Sequence, residues 1–417
     1  MTAATVLLDS DVGPDITELV YSISTRRGRS RTLDTIPPGV AIIKCRNHNR
    51  DLDPAPWLGI TSNLLQESGD NLLMESGDNL LIEFPPVGGT YGAMVPGRLI
   101  AIIDETDAYI FVGYIEDFDY DWDKKGRSVV TIRAHDALGQ FGNGDLLEHT
   151  GVLNELPGTR IARIISRSEI GYEGSLTGLN GAGLDRLQAD PVPGGTNCLV
   201  YCQRSTKADQ GRFFADRAGA VQYLDRHEVL GVTPVLSFSD TDGSGIVVEK
   251  VRAEYGTEEL HFSVTASRVG GRAISRVNTT QAAAYPELGM RNLTMGNLLL
   301  EHDVAAEAMA DYLRDRFSEF RVWVSQLTVN LDRLSAADRE SVCELEIGDV
   351  VDLSWTPTCE GLPIQSTLLV EGVGYSTANS ARRRKATTVT LRLSDATDPA
   401  WFVLDTSKLD GVDTLAY

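Results

Sequence analysis

The sequence predicts a mainly β chain with minor α: two antiparallel β units in one polypeptide and a small α+β insert between them. Three observations carry this reading. The first is a repeat of strand blocks. Gly97-Arg98-Leu99-Ile100, Phe111-Val112-Gly113-Tyr114 and Val130-Thr131-Ile132-Arg133, closed by Asp136, are echoed by Gly348-Asp349-Val350-Val351, Gly372-Val373-Gly374-Tyr375 and Val389-Thr390-Leu391-Arg392, closed by Asp395. The spacing between blocks differs by an amount that a surface loop absorbs at little cost in closure entropy. The second is period-two alternation, clearest where Val389, Leu391 and Leu393 share one face and Thr388, Thr390 and Arg392 the other. The third is a single long helical pattern lying between strand runs, after Asp303.

From the N-terminus, short alternating runs at Ile16–Ser24 and Val40–Lys44 predict strands, with a turn at Pro37-Pro38-Gly39. A tandem repeat follows over residues 64–83, in which Leu-Leu pairs alternate with Ser-Gly-Asp-Asn. Glycine takes positive φ freely and Asp or Asn bonds its own backbone, so each unit predicts a short strand and a turn. So small a hairpin array buries little area and is expected to pack on a neighbour or project as a flap. Gly97 to Ala134 predicts an antiparallel meander, with strands at Tyr109–Tyr114 and Ser128–Ala134. Pro157-Gly158-Thr159 opens a short amphipathic helix with Ile161, Ile164 and Ile165 on one face. Strands are expected around Leu199-Val200-Tyr201 and Ala220–Tyr223. The helix after Asp303 carries Ala305, Ala308, Met309, Tyr312, Leu313, Arg316 and Phe320 at helical spacing and is expected to pack on the second β unit. The resulting division is a first β domain over residues 1–148 with the hairpin repeat inserted at 60–90, an α+β domain over 149–255, a second β domain over 256–400 with its packing helix at 304–320, and a tail over 401–417.

Composition narrows the function classes. The net charge of −21 leaves no surplus of Lys and Arg to release phosphate counterions, so attraction to nucleic acid is excluded as a binding mode. An acidic surface keeps a protein soluble and also repels DNA. No apolar run reaches the roughly 18 residues of a membrane helix. The opening Met1–Asp9 has no basic leader, so folding in a cytoplasm is expected. Five cysteines make no disulfide framework. Cys198 and Cys202 lack the spacing of a zinc knuckle and read as buried thiols.

The candidates for chemistry are few. The acids of Glu116–Asp123 alternate with Phe118, Tyr120 and Trp122, the ordinary pattern of a half-buried strand rather than a paired-carboxylate site. Asp119, Asp121 and Asp123 imitate the start of an EF-hand loop, as do Asp240, Asp242 and Ser244. Both lack the bidentate Glu at the twelfth position, which holds Val130 and Val251. No nucleophile elbow, phosphate loop, dinucleotide fingerprint or zinc-protease helix occurs. No catalytic, cofactor-binding or metal residue is assigned, and an enzyme is not expected. The competing reading is a polysaccharide-binding or polysaccharide-cleaving β protein, with Trp122, Trp355 or Trp401 as stacking platforms and paired acids such as Asp121 as catalysts.

The chain resembles the tail hub, or minor tail and baseplate hub, proteins of long-tailed bacteriophages, including the N-terminal hub part of tail-associated lysins. The resemblance is carried by Ile16–Arg27, Ala41–His48 and Arg50-Asp51-Leu52-Asp53-Pro54, then by Val95-Pro96-Gly97-Arg98 and the stretch from Phe111–Ile115 to Ala134–Leu138. In the second half it is carried by Ser275-Arg276-Val277-Asn278, the helix after Asp303, Leu345–Val351 and Leu369-Val370-Glu371-Gly372. It implies two tube-like antiparallel β-barrel domains per chain and a homotrimer forming a pseudo-hexameric ring. Such a ring continues and closes the tail tube at the virion tail tip and is assembled in the host cytoplasm. The implied partners are the distal tail protein ring, the tape-measure protein and tail-tip or fibre proteins. DNA passes through the lumen without specific binding, and no membrane insertion is implied. The chain ends soon after its second β unit, so peptidoglycan cleavage is expected from another protein. A role as the hexameric distal ring itself is disfavoured, because two tube units per chain would make that ring twelve-fold.

Overall fold

A computed structural model describes residues 4–9, 13–54, 62–63, 81–82, 91, 94–124, 128–228, 232–241, 243–357, 363–378, 386–396, 401–402 and 414–415. The chain is mainly β with minor α. Its strands β1 (Thr5–Leu8), β2 (Val20–Gly28), β3 (Val40–Arg46), β4 (Leu99–Ile103), β5 (Tyr109–Trp122) and β6 (Ser128–His135) make the first unit. The insert contributes β7 (Arg212–Ala215) and β8 (Val221–Leu224). Further on come β9 (Leu236–Ser239), β10 (Ile246–Val247), β11 (Lys250–Glu254), β12 (Ser263–Arg268), β13 (Ile274–Val277) and β14 (Asn292–Leu298). The second meander is β15 (Trp323–Asn330), β16 (Val350–Trp355), β17 (Ile364–Ala378) and β18 (Ala386–Asp395).

The duplication is topological. The spatial order β2-β3-β6-β5-β4 recurs as β11-β15-β18-β17-β16, antiparallel throughout and with the strands in the same chain order. Both long central strands carry a bulge at a glutamate. The register shifts between Ile115 and Asp117 opposite Ala134 and Arg133, and between Val370 and Gly372 opposite Leu393 and Arg392, leaving Glu116 and Glu371 as the extra residues. In both units the third strand, β4 or β16, is entered through a glycine of positive φ, where an L side chain is strained. The N–H groups of Gly97 (φ +86°) and Gly348 (φ +101°) donate to the carbonyls of Ile115 at 2.7 Å and Val370 at 2.9 Å.

This register corrects the sequence alignment in its middle block. The first and third blocks correspond as read, but Tyr375 stands opposite Val389 as Tyr120 stands opposite Val130. The equivalent of Gly372–Tyr375 is therefore Asp117–Tyr120, not Phe111–Tyr114. The two units are also not separate sheets. Strand β2 pairs on its second side with β17, from Ser22 opposite Ala378 to Gly28 opposite Gly372, so among the described residues one sheet of 13 strands runs through both. One apolar cluster follows it, from Ile43, Val130 and Ile132 to Leu327, Val389 and Leu391.

Two other clusters hold the inserts. In one, α1 (Ala137–Asn143), α2 (Pro157–Ile165) and α3 (Cys198–Lys207) pack on the β7–β8 hairpin around Phe141, Ile161 and Phe213. Residues 199–201 thus lie in a helix, not the expected strand. The Asn197 side chain caps it by accepting from the Val200 N–H, and the period of Cys198, Leu199, Tyr201, Cys202 and Ser205 faces the core. In the other, α4 (Asp303–Phe317) covers the three-stranded sheet β13-β12-β14 and not the second meander, because Met309, Tyr312 and Leu313 meet Val264, Ala266, Ile274 and Met295. Its N-cap is His302 rather than Asp303, which sits in the first turn. A further helix, α5 (Ala336–Cys343), precedes β16. The strand expected from Ile16 begins at Val20, after a 3-10 turn over Thr17–Leu19. The hairpin array of residues 64–83 falls, apart from Leu81 and Ile82, outside the described residues.

Candidate functional site

The feature most unlike an ordinary core lies where the two units and the insert meet. At the end of β2 the chain approaches the β17 bulge so closely that a Cβ on Gly28 would stand 2.2 Å from the Glu371 carbonyl oxygen. Gly28 has φ +82°. The next residue, Arg29, donates its backbone N–H to that carbonyl at 2.9 Å and its Nε to Glu371 Oε2 at 2.7 Å. From the β7 hairpin, Arg212 Nη2 reaches Oε1 at 3.1 Å, and Ser394 Oγ on β18 donates to the same oxygen at 2.9 Å. Glu371 is wholly buried, with side-chain exposure of 0%. Burial opposes its ionisation, but the Arg212 and Arg29 guanidiniums outweigh it and hold the carboxyl well below the usual range. Three distant parts of the chain are thereby tied to one carboxylate.

A second set of contacts braces the same junction. Arg27 Nη1 pairs with Glu346 Oε1 at 2.6 Å and donates to the Ala215 carbonyl at 3.2 Å, while Glu346 Oε2 accepts the Arg217 N–H at 2.7 Å. Asp136 caps α1, accepting from Leu138 N at 3.0 Å, and also accepts from Gly39 N at 2.7 Å. Burial pushes this carboxyl up to about 7, against the pull of those N–H groups and of Arg27.

The equivalent place in the first unit is not buried among the described residues. Glu116, at the matching bulge, is exposed and contacts His135. Beyond it Asp117, Asp119 and Asp121 project from the exposed side of β5, and Arg133 lies 3.9 Å from both Asp117 and Asp119. Phe118, Tyr120 and Trp122 stack along the other face, with centroids 6.4 and 5.7 Å apart. On the β4 side, no strand covers β5 from Glu116 to Trp122 among the described residues, whereas β2 covers the matching stretch of β17.

The sequence-derived candidates for chemistry are dispersed. Trp122 ends β5, 53% exposed, and Trp355 ends β16 half-buried; the Trp401 side chain falls outside the described residues. Asp119 and Asp121 lie along a strand, where same-side residues are about 7 Å apart and do not wrap an ion. Asp240 instead accepts the Thr356 N–H at 2.8 Å, and Asp242 lies outside the described residues. Among the described residues no three His, Cys, Asp or Glu side chains converge as a metal would require. No helix among them is long and apolar enough to cross a membrane. Cys198 and Cys202 are buried on α3; the Cys198 contact and burial raise the Cys202 thiol. A cleft of about 390 Å³ lies beside β11, lined by Arg252, Glu254, Arg316 and Trp323. Burial pushes its Glu259 up to about 7. Sequence reasoning missed the Glu371 junction, whose partners are remote in the chain. The visible signal was Glu-Gly within an otherwise apolar strand, the composition of a bulge.

These features define a class: a β scaffold made of one duplicated antiparallel unit, with its inserts anchored at the internal seam. Solved phage tail proteins share this fold. A tail protein from Neisseria meningitidis MC58 superposes with a TM-score of 0.57 at 11% identity, covering 94% of this chain and 96% of that one. The 43 kDa tail protein of prophage MuSo2 from Shewanella oneidensis gives 0.52 at 13% identity, covering 94% and 98%. The prophage tail protein gp18 from Listeria monocytogenes EGD-e gives 0.50 at 11%, covering 95% and 96%. No family model and no curated protein matches the chain.

Proposed function

We propose that this chain is a structural hub protein of a phage-type tail tip. Three copies form a pseudo-hexameric ring that continues and closes the tail tube, connects the distal tail ring to fibres or a central tip, and opens for DNA ejection. The observation that carries the reading is the internal duplication, with two equivalent antiparallel units joined edge to edge in one sheet. Three such chains present six similar units, which lets a threefold object mate with a sixfold one. The likeness to solved tail proteins supports the same reading.

In this proposal each unit curls into one tube-like segment of the ring wall. The first unit occupies residues 1–148 and the tail residues 401–417, while the expected boundary between insert and second unit at 255/256 moves back to about residue 250, because β11 is the first strand of the second unit. The α4 layer sits as a further insertion between β11 and β15, consistent with its own apolar cluster. Three copies carry three times −21, or −63, a charge suited to a lumen through which DNA slides without adhering. The tape-measure protein is a partner within that lumen, and the assembled ring resides at the virion tip after assembly in the host cytoplasm. Mass measurement of the 45.4 kDa chain, alone and in assembled tails, tests the reading. A trimer is expected; a stable monomer within intact tails would overturn it.

A further inference from the structure

We propose that a cavity beside the junction of Arg29, Arg212 and Glu371 binds a small monocarboxylate with a short apolar tail, its carboxylate taken by Arg29 Nη2 and its tail by the apolar wall. The cavity measures about 210 Å³ and lies between three parts of the chain. The β2–β3 connection supplies Arg29 and Ile36, the end of α3 and the start of β7 supply Lys207 and Phe213, and β14 supplies Leu293 and Met295. These walls fall within residues 29–36, 203–213 and 293–295, all of them described. Against the roughly 30 Å³ that one water takes in the liquid, this is room for a ligand the size of butyrate.

The sign of the ligand follows from the junction. Glu371 brings one negative charge to the two guanidiniums it bonds, so a positive charge stays in the interior, where an uncompensated ion is costly. Arg29 is 4% exposed. Its Nε is committed to Glu371 and its Nη1 to the Asp34 carbonyl at 3.1 Å, but Nη2 is buried and has no hydrogen-bond partner among the described residues. Arg212, 3% exposed, likewise keeps Nη1 unpartnered among them. No second carboxylate among the described residues bonds either guanidinium. Burial, with Arg212 beside it, draws the Arg29 guanidinium below its ordinary value although Glu371 opposes this, as expected of a cation short of negative charge. A guanidinium N–H and a carboxylate oxygen make a strong, charge-assisted bond. At the rim, exposed Asp34 and Lys207 carry opposite signs and offset each other. The interior Arg29 therefore selects an anion, and Ile36, Phe213, Leu293 and Met295 favour one with an apolar tail over a fully hydrated ion. A ligand there touches the β2–β3 connection, the α3 insert and the three-stranded sheet at once, so its binding braces both inserts on the seam.

All of these groups belong to one chain, so the binding is independent of the ring reading above. Calorimetric titration of the full chain with butyrate, and with butanol as its uncharged match, tests it. Butyrate is expected to bind at least about tenfold more tightly than butanol and to raise the melting temperature as its concentration rises. Arg29→Gln should remove that preference. Leu293→Trp leaves both arginines in place and fills the cavity from a half-buried strand position, so it should weaken butyrate binding about tenfold or more. Circular dichroism checks that each variant folds, and the wild-type comparison decides where one does not. Butyrate binding no tighter than butanol, or undiminished in a folded Leu293→Trp chain, would overturn the site. Inorganic phosphate binding as tightly as butyrate would overturn the apolar-tailed class of ligand.

Discussion

Arg29 and Glu371, 342 positions apart in sequence, meet in a buried ion pair at 2.7 Å, and Arg212 completes a triad around the same carboxylate. The charges are compensated only together. Glu371→Gln strands two buried guanidiniums and is expected to cost about 3–5 kcal/mol. Chemical denaturation of the variant against wild type measures this, and a loss under about 1 kcal/mol would show that water already solvates the node.

Gly28 faces the bulge backbone, so Gly28→Ala must both adopt a positive φ and displace Glu371. A loss above about 2 kcal/mol is expected. Gly97→Ala shares the positive φ but meets nothing within 4 Å, so its loss should stay near 1–2 kcal/mol. Equal thermal shifts in the two variants would refute the close approach at the seam.

Stability should peak in mild acid. Burial raises Asp136 and Glu259 to about 7 and Asp209 to about 6, so the folded state holds protons that the unfolded chain has already released. Their contribution is therefore full below the ordinary carboxyl range and is lost as pH rises from about 4 toward 7. Glu371 has the opposite sign. Its lowered value stabilises the fold above the ordinary range, and that contribution disappears as pH falls below it. A melting-temperature profile with its maximum near pH 5 is expected, and Asp136→Asn should flatten the limb between about 4 and 7. A profile rising steadily from pH 5 to 8 would contradict the assignment.

Thiol reagents should leave Cys45, Cys198 and Cys202 untouched in the native protein. All three are buried, and burial pushes the Cys45 thiol up to about 12. Mass spectrometry after brief alkylation at neutral pH should find them modified only in denaturant; rapid native labelling at Cys198 or Cys202 would mean that the insert opens readily.

The chain's local patterns were enough to determine much of this protein: the mainly β class, the amphipathic α2, the meander of β4 to β6, and the repetition of its first and third blocks. Each of these depends on neighbours within a few residues, where side-chain period and turn chemistry act directly. The middle block slipped because Phe111–Tyr114 and Asp117–Tyr120 both end in tyrosine on an alternating strand. Only the hydrogen-bonded bulges at Glu116 and Glu371 select between them. Likewise, alternation alone could not place Leu199–Tyr201, where an Asn197 cap and a packed helical face prevail. The tertiary structure alone decided that β2 would seal β17, that α4 would cover the three-stranded sheet, and that one bulge glutamate would be buried and the other left in water. Those outcomes depend on long-range pairings, above all Arg29 and Arg212 with Glu371. The energy of a buried charge is set by what surrounds it in space, which separation along the chain does not encode.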